Sequence, residues 1–72
     1  MYQTRINLVT LLDVNKFVNA IRDIEGTIKL IDGKGYCVSA KSIVGAIAAL
    51  EWKELYCVSS VDIYNKIKEF AI

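Results

Sequence analysis

The sequence predicts an α+β domain of two layers, with helices covering one face of a sheet of short strands. Three observations predict it: an alternating apolar run near the start, apolar stripes at helical spacing, and an Asp-Gly pair between two β-branched segments. The predicted order is strand, helix, strand, strand, helix, strand, helix.

Residues 2 to 9 place Tyr2, Thr4, Ile6 and Leu8 on one face and Gln3, Arg5 and Asn7 on the other. Period two over that length is the pattern of a half-buried strand. Asp13 is then expected to cap a helix whose apolar stripe is Val14, Phe17, Val18, Ile21 and Ile24. Asn15, Lys16, Asn19, Arg22 and Asp23 fall on its wet side, and Gly26 is expected to end it. Thr27 to Ile31 and Tyr36 to Ser39 flank Asp32-Gly33-Lys34-Gly35 and read as a hairpin, because glycine supplies the positive φ of the turn. Ser42 caps a second helix reaching Leu50. On it Ala46, Ala49 and Leu50 form a core-facing stripe, and Ile43, Val44 and Ile47 are left at least partly exposed. Leu55 to Val58 is the fourth strand. Ser59-x-x-Asp62 has the form of a capping box for a last helix with Ile63, Ile67 and Phe70 on one stripe.

Seventy-two residues make a single domain, 1–72, close to the size at which a core needs no covalent staple. With 54% apolar residues the chain is globular rather than disordered. No apolar run spans a bilayer and the first residues do not form a signal peptide, so the expectation is a cytoplasmic protein without a membrane partner. Nine basic residues offset eight acidic ones and are scattered along the chain, which argues against a nucleic-acid partner. Cys37 and Cys57 lack CxxC spacing and there is no histidine, so no metal site is expected; both read as small buried hydrophobes. Without a histidine, a nucleophile–base pair or a glycine-rich phosphate loop, the chain reads as a non-enzyme with no cofactor.

The string Ala40-Lys41-Ser42-Ile43-Val44-Gly45, continuing to Leu50, resembles the second helix of HPr, the histidine phosphocarrier family of the bacterial sugar phosphotransferase system. Aligned there, the chain is similar to the family over nearly its whole length. The resemblance implies an HPr-like open-faced sandwich whose antiparallel sheet has the order 1-4-2-3, with all three helices on one face. In that order Cys37 and Cys57 lie two strands apart, about 10 Å at about 4.8 Å per step, beyond the reach of a disulfide. Two free thiols are the expectation.

The resemblance also divides the family's functions. Its phosphorylated histidine lies at the start of the first helix. Here that loop reads Val9-Thr10-Leu11-Leu12-Asp13-Val14, with Thr10 and Leu11 near the missing histidine and Asp13 repelling an incoming phosphoryl group. The resemblance therefore implies a member that cannot carry phosphohistidine. Ser42 matches the family's regulatory serine, modified by HPr kinase, with Lys41 as a cation beside it; it is equally well explained as a helix cap alone. Ile43, Val44 and Ile47 match the family's partner-docking helix, or else cover the edge of a small core. Protein partners of the phosphotransferase or HPr-kinase type follow from the resemblance. Trp52 is expected to close the end of the second helix. An apolar open sheet face around Arg5, Asn7, Lys29, Ile31, Tyr56 and Val58 leaves a monomer or a weak homodimer. The alternative is a small ligand-binding or oligomerisation module resembling ACT or ferredoxin-like domains, which share much of the element order but have the sheet order 4-1-3-2.

Overall fold

The computed structural model describes residues 1–72. Its elements are β1 (Tyr2–Arg5), α1 (Leu11–Ile21), β2 (Ile28–Ile31), β3 (Cys37–Ser39), α2 (Ile43–Ala49), β4 (Tyr56–Ser59) and α3 (Tyr64–Ile67), followed by a 3₁₀ turn, Lys68–Phe70. The four strands form one antiparallel sheet in the order β1-β4-β2-β3. This is the expected α+β architecture, and the ferredoxin-like order is not the one observed. The helices occupy one face, and no helix is long and apolar enough to cross a membrane.

β4 is the hub of the sheet. Cys57 sits opposite Thr4 on one side and Leu30 on the other, and Tyr56 sits between Arg5 and Ile31. Alternation along β2 and β4 buries Ile28, Leu30, Cys57 and Ser59 beneath the helices. Val14, Phe17, Val18 and Ile21 fill the space from α1, Ala46 and Ala49 from α2, and Ile63, Ile67 and Phe70 from the last segment. Phe17 meets Phe70 edge to face, with ring centroids 5.6 Å apart.

Several local expectations are corrected. α1 is capped by Thr10, one turn earlier than expected, and Asp13 is the third helical residue that completes a capping box. From that position its carboxylate accepts from the Val9 and Thr10 N–H groups, while the Thr10 hydroxyl takes the Asp13 N–H. α1 ends at Ile21, not at Gly26. Gly26 instead turns at φ 115°, where an added Cβ would lie 2.7 Å from the Ser60 hydroxyl, so it is required by close approach to the β4–α3 loop. The regular part of the first strand is shorter than residues 2 to 9. Beyond Arg5, Ile6 bridges to Ala71, the Asn7 N–H donates to the Phe70 carbonyl, and the Ile72 N–H donates to the Arg5 carbonyl. Ser59 and Asp62 make no capping box. The buried Ser59 hydroxyl accepts from the Val61 N–H and donates to the Val61 carbonyl, while Asp62 accepts from the Tyr64 N–H. Ile63 stands at the cap position without a side-chain bond, which accounts for a helix of one turn.

The hairpin is built as expected, with Gly33 at φ 79° and Gly35 at φ 117°. Its anchor is Asp32, buried at 8% exposure, whose carboxylate accepts from the Lys34 N–H at 2.7 Å and the Tyr36 N–H at 3.1 Å. Trp52 packs half-buried against the core beyond α2 and stacks on Tyr36, with centroids 6.2 Å apart. Both cysteines are free; Cys57 is buried, but Cys37 is exposed. The expectation of a buried Cys37 fails because Tyr36 and Val38 take the helix-facing side of β3. Register then places Cys37 with Ile31, Tyr56 and Arg5 on the open face.

Asp32→Ala removes the acceptor for two turn N–H groups at a largely buried position. We expect a loss of about 1–3 kcal/mol in urea denaturation, against near-neutral behaviour for Lys34→Ala in the same loop.

Candidate functional site

The site is built where α2 leaves β3. The Ser39 hydroxyl accepts from the Lys41 N–H and its carbonyl accepts from the Ser42 N–H, so the chain turns sharply off the sheet edge. Ser42 is extended at φ −92°, and its hydroxyl accepts from the Gly45 N–H at 3.2 Å. This is the expected N-cap. Ser42 is nonetheless exposed, and its oxygen lies at the solvent edge of the first turn.

Gly45 has a packing reason to be glycine. A Cβ there would stand 3.1 Å from the Val38 Cβ and 3.3 Å from the Ser39 carbonyl, so α2 lies against β3 with no space between. The Lys41 ammonium donates to the carbonyl of Ile24 in the α1–β2 connection. It thereby ties the start of α2 to the end of α1.

α2 buries Ala46 and Ala49, with Leu50 half-buried. Ile43, Val44 and Ile47 are exposed, as their positions off the core-facing stripe require, with Val44 the most open at 79%. α1 packs beside α2 on the same face of the sheet and contributes Leu11 and Leu12 from its first turn, both exposed, preceded by exposed Val9. These additional apolar residues were not singled out from the sequence as surface groups. For Leu12 a signal was present: it shares a helical stripe with Asn15, Lys16 and Asn19, the wet side of α1. Six large apolar side chains thus face solvent from α2, the first turn of α1 and the loop before it.

The loop before α1 folds back onto Asp13. One Asp13 carboxylate oxygen accepts from the Val9 N–H at 3.0 Å and the Thr10 N–H at 3.3 Å, while the Thr10 hydroxyl accepts from the Asp13 N–H at 3.2 Å. The two backbone bonds, from Val9 first and Thr10 second, hold the Asp13 carboxyl below the ordinary value of 3.8, with Lys16 adding to the effect. The two loop donors are therefore occupied, and the carboxylate sets a negative charge at the helix start that opposes a second anion. Thr10 is committed to the cap, and Leu11 offers only hydrocarbon.

Burial pushes the Cys57 thiol up to about 11, which leaves it protonated and unreactive at neutral pH. No group of three or more Cys, Asp or Glu is gathered as a metal ion would require. A shallow cleft of about 390 Å³ lies at the open end of the β2–β3 hairpin between Lys29, Ser39 and Lys41, apart from the exposed apolar side chains of α2. Compared with known proteins, the chain matches no family model, no curated protein and no solved structure.

The capping box gives stability a pH dependence of definite sign. Because Asp13 is more acidic folded than unfolded, its contribution is present above pH 3.8 and is lost as pH falls through the lower folded value. Asp13→Asn should lower the unfolding midpoint at neutral pH and converge with wild type in strong acid. A constant difference across that range would contradict the capping role.

Proposed function

We propose that this protein is a non-catalytic, HPr-like docking protein, acting through contacts made by its helical layer and regulated at Ser42. The observation that carries this reading is the pairing of an exposed serine cap with exposed Ile43, Val44 and Ile47 on the same short helix. Clustered apolar exposure of this kind marks interaction surfaces. The sheet order β1-β4-β2-β3 is the one the resemblance requires, and it lends no support to an ACT or ferredoxin-like ligand module.

Phosphate on Ser42 would act through simple electrostatics. The cap oxygen already accepts a backbone N–H, and a phosphate there adds negative charge where the helix start favours it. It would also place that charge beside Ile43 and Val44, changing which partners the apolar surface accepts. Lys41 is expected to assist on releasing the Ile24 carbonyl, to which its ammonium donates. The start of α1, by contrast, lacks an imidazole and carries the Asp13 carboxylate, which is bound to the Val9 and Thr10 N–H groups. Phosphoryl transfer in the manner of the carrier has no acceptor there.

Incubation with HPr kinase and ATP should add the mass of one phosphate to the wild type and none to Ser42→Ala. Equal incorporation in both proteins, or none in either, would remove the regulatory serine from this reading. Enzyme I with phosphoenolpyruvate should leave the mass unchanged.

A further inference from the structure

The two edges of the sheet are treated differently. Beyond β1 the segment Phe70 to Ile72 pairs with Arg5, Ile6 and Asn7, so that edge is partly covered by the chain itself. β3 has no such cover. Its inward hydrogen bonds are made by the even-numbered residues: the Tyr36 carbonyl accepts from the Asp32 N–H, and the Ala40 N–H donates to the Ile28 carbonyl. Cys37 and Ser39, between them, turn their backbone groups outward. The Ser39 carbonyl is used by Ser42, which leaves the Cys37 N–H, the Cys37 carbonyl and the Ser39 N–H facing away from the sheet.

Natural edge strands are blocked by a charged side chain, a proline, a bulge or by being very short. Tyr36-Cys37-Val38-Ser39-Ala40 has none of the first three, and the three-residue length of β3 limits how much chain can pair with it. We propose that β3 is a self-association edge, on which two copies of this chain pair antiparallel about a two-fold axis at Cys37 to make one continuous sheet. At the axis each Cys37 N–H donates to the other's Cys37 carbonyl. Tyr36 then lies opposite Val38, and the Ser39 N–H faces the Gly35 carbonyl. Residues 35 to 39 carry no charged side chain, and Lys34 and Lys41 lie in the turns on either side, so the pairing brings no like charges face to face. That neutrality and self-complementarity favour a second copy over an unrelated charged strand. Only residues 35 to 39 take part, so the association is weak and concentration-dependent.

The test is sedimentation equilibrium of the full chain, reduced, from micromolar to millimolar concentration. The mass should rise from 8.1 kDa toward that of a dimer. Cys37→Lys places two cations at the axis and should raise the dissociation constant about tenfold or more, with an unchanged circular dichroism spectrum. Paired Cys37 residues would have Cα atoms about 5.5 Å apart, within disulfide reach. Diamide should therefore link them: two thiols lose two protons and two electrons, and the diazene is reduced to the hydrazine. Peptide mapping should place the bond at Cys37 and not at the buried Cys57. Ser39→Pro keeps the thiol, removes an outward N–H without touching the β2 ladder, and should slow the cross-link markedly. A wild type that stays monomeric throughout overturns the proposal. So does a dimer that Cys37→Lys leaves equally stable.

Discussion

The insertion of β4 between β1 and β2 is the constraint on which the rest of the molecule depends. β4 is the last strand in the chain, yet it pairs on both sides and carries Leu55, Cys57 and Ser59 in or beside the core. Neither β1 nor the β2–β3 hairpin has a complete partner until it arrives. Only then do the faces of β1 and β2 align beneath the helices, because a one-residue slip would turn Cys57 outward and Tyr56 inward. The closing segment depends on it in turn: Phe70 reaches Phe17, and Ala71 reaches Ile6, from the end of a chain that β4 has already positioned.

That frame sets the two ends of the helical layer apart. At α2 the contact of Gly45 with β3 presses the helix onto the sheet, and with Ala46 and Ala49 facing the core the larger apolar residues are turned outward. At α1 the capping box draws the Val9 and Thr10 N–H groups onto the Asp13 carboxylate. One helix start thus presents a hydroxyl beside hydrocarbon; the other presents hydrocarbon beside a carboxylate.

Much of this was legible in the chain. The apolar stripes of α1 and α2, the Asp-Gly hairpin, the Ser42 cap and the exposure of Ile43, Val44 and Ile47 follow from periodicity and turn chemistry. The starts of α1 and α3 were not. Thr10 and Asp13 are both good capping residues, and choosing between them depends on which N–H groups the preceding loop delivers. Ser59 and Asp62 have capping-box spacing, but Ser59 is buried by the sheet and its hydroxyl must bond the nearest backbone. Leu11 continues the apolar stripe of α1, yet the helix start projects past the core, which periodicity does not register.

The sequence alone determined the element types, because burial periodicity and backbone propensity are local properties. It also determined the absence of imidazole chemistry, which composition settles outright. Only the tertiary structure decided that Cys37 is exposed while Cys57 is buried, that Gly26 answers to Ser60, and that one sheet edge is covered while the other is not. Each of these depends on which strand lies beside which. Strand pairing joins residues far apart in the chain, and no local pattern records that choice.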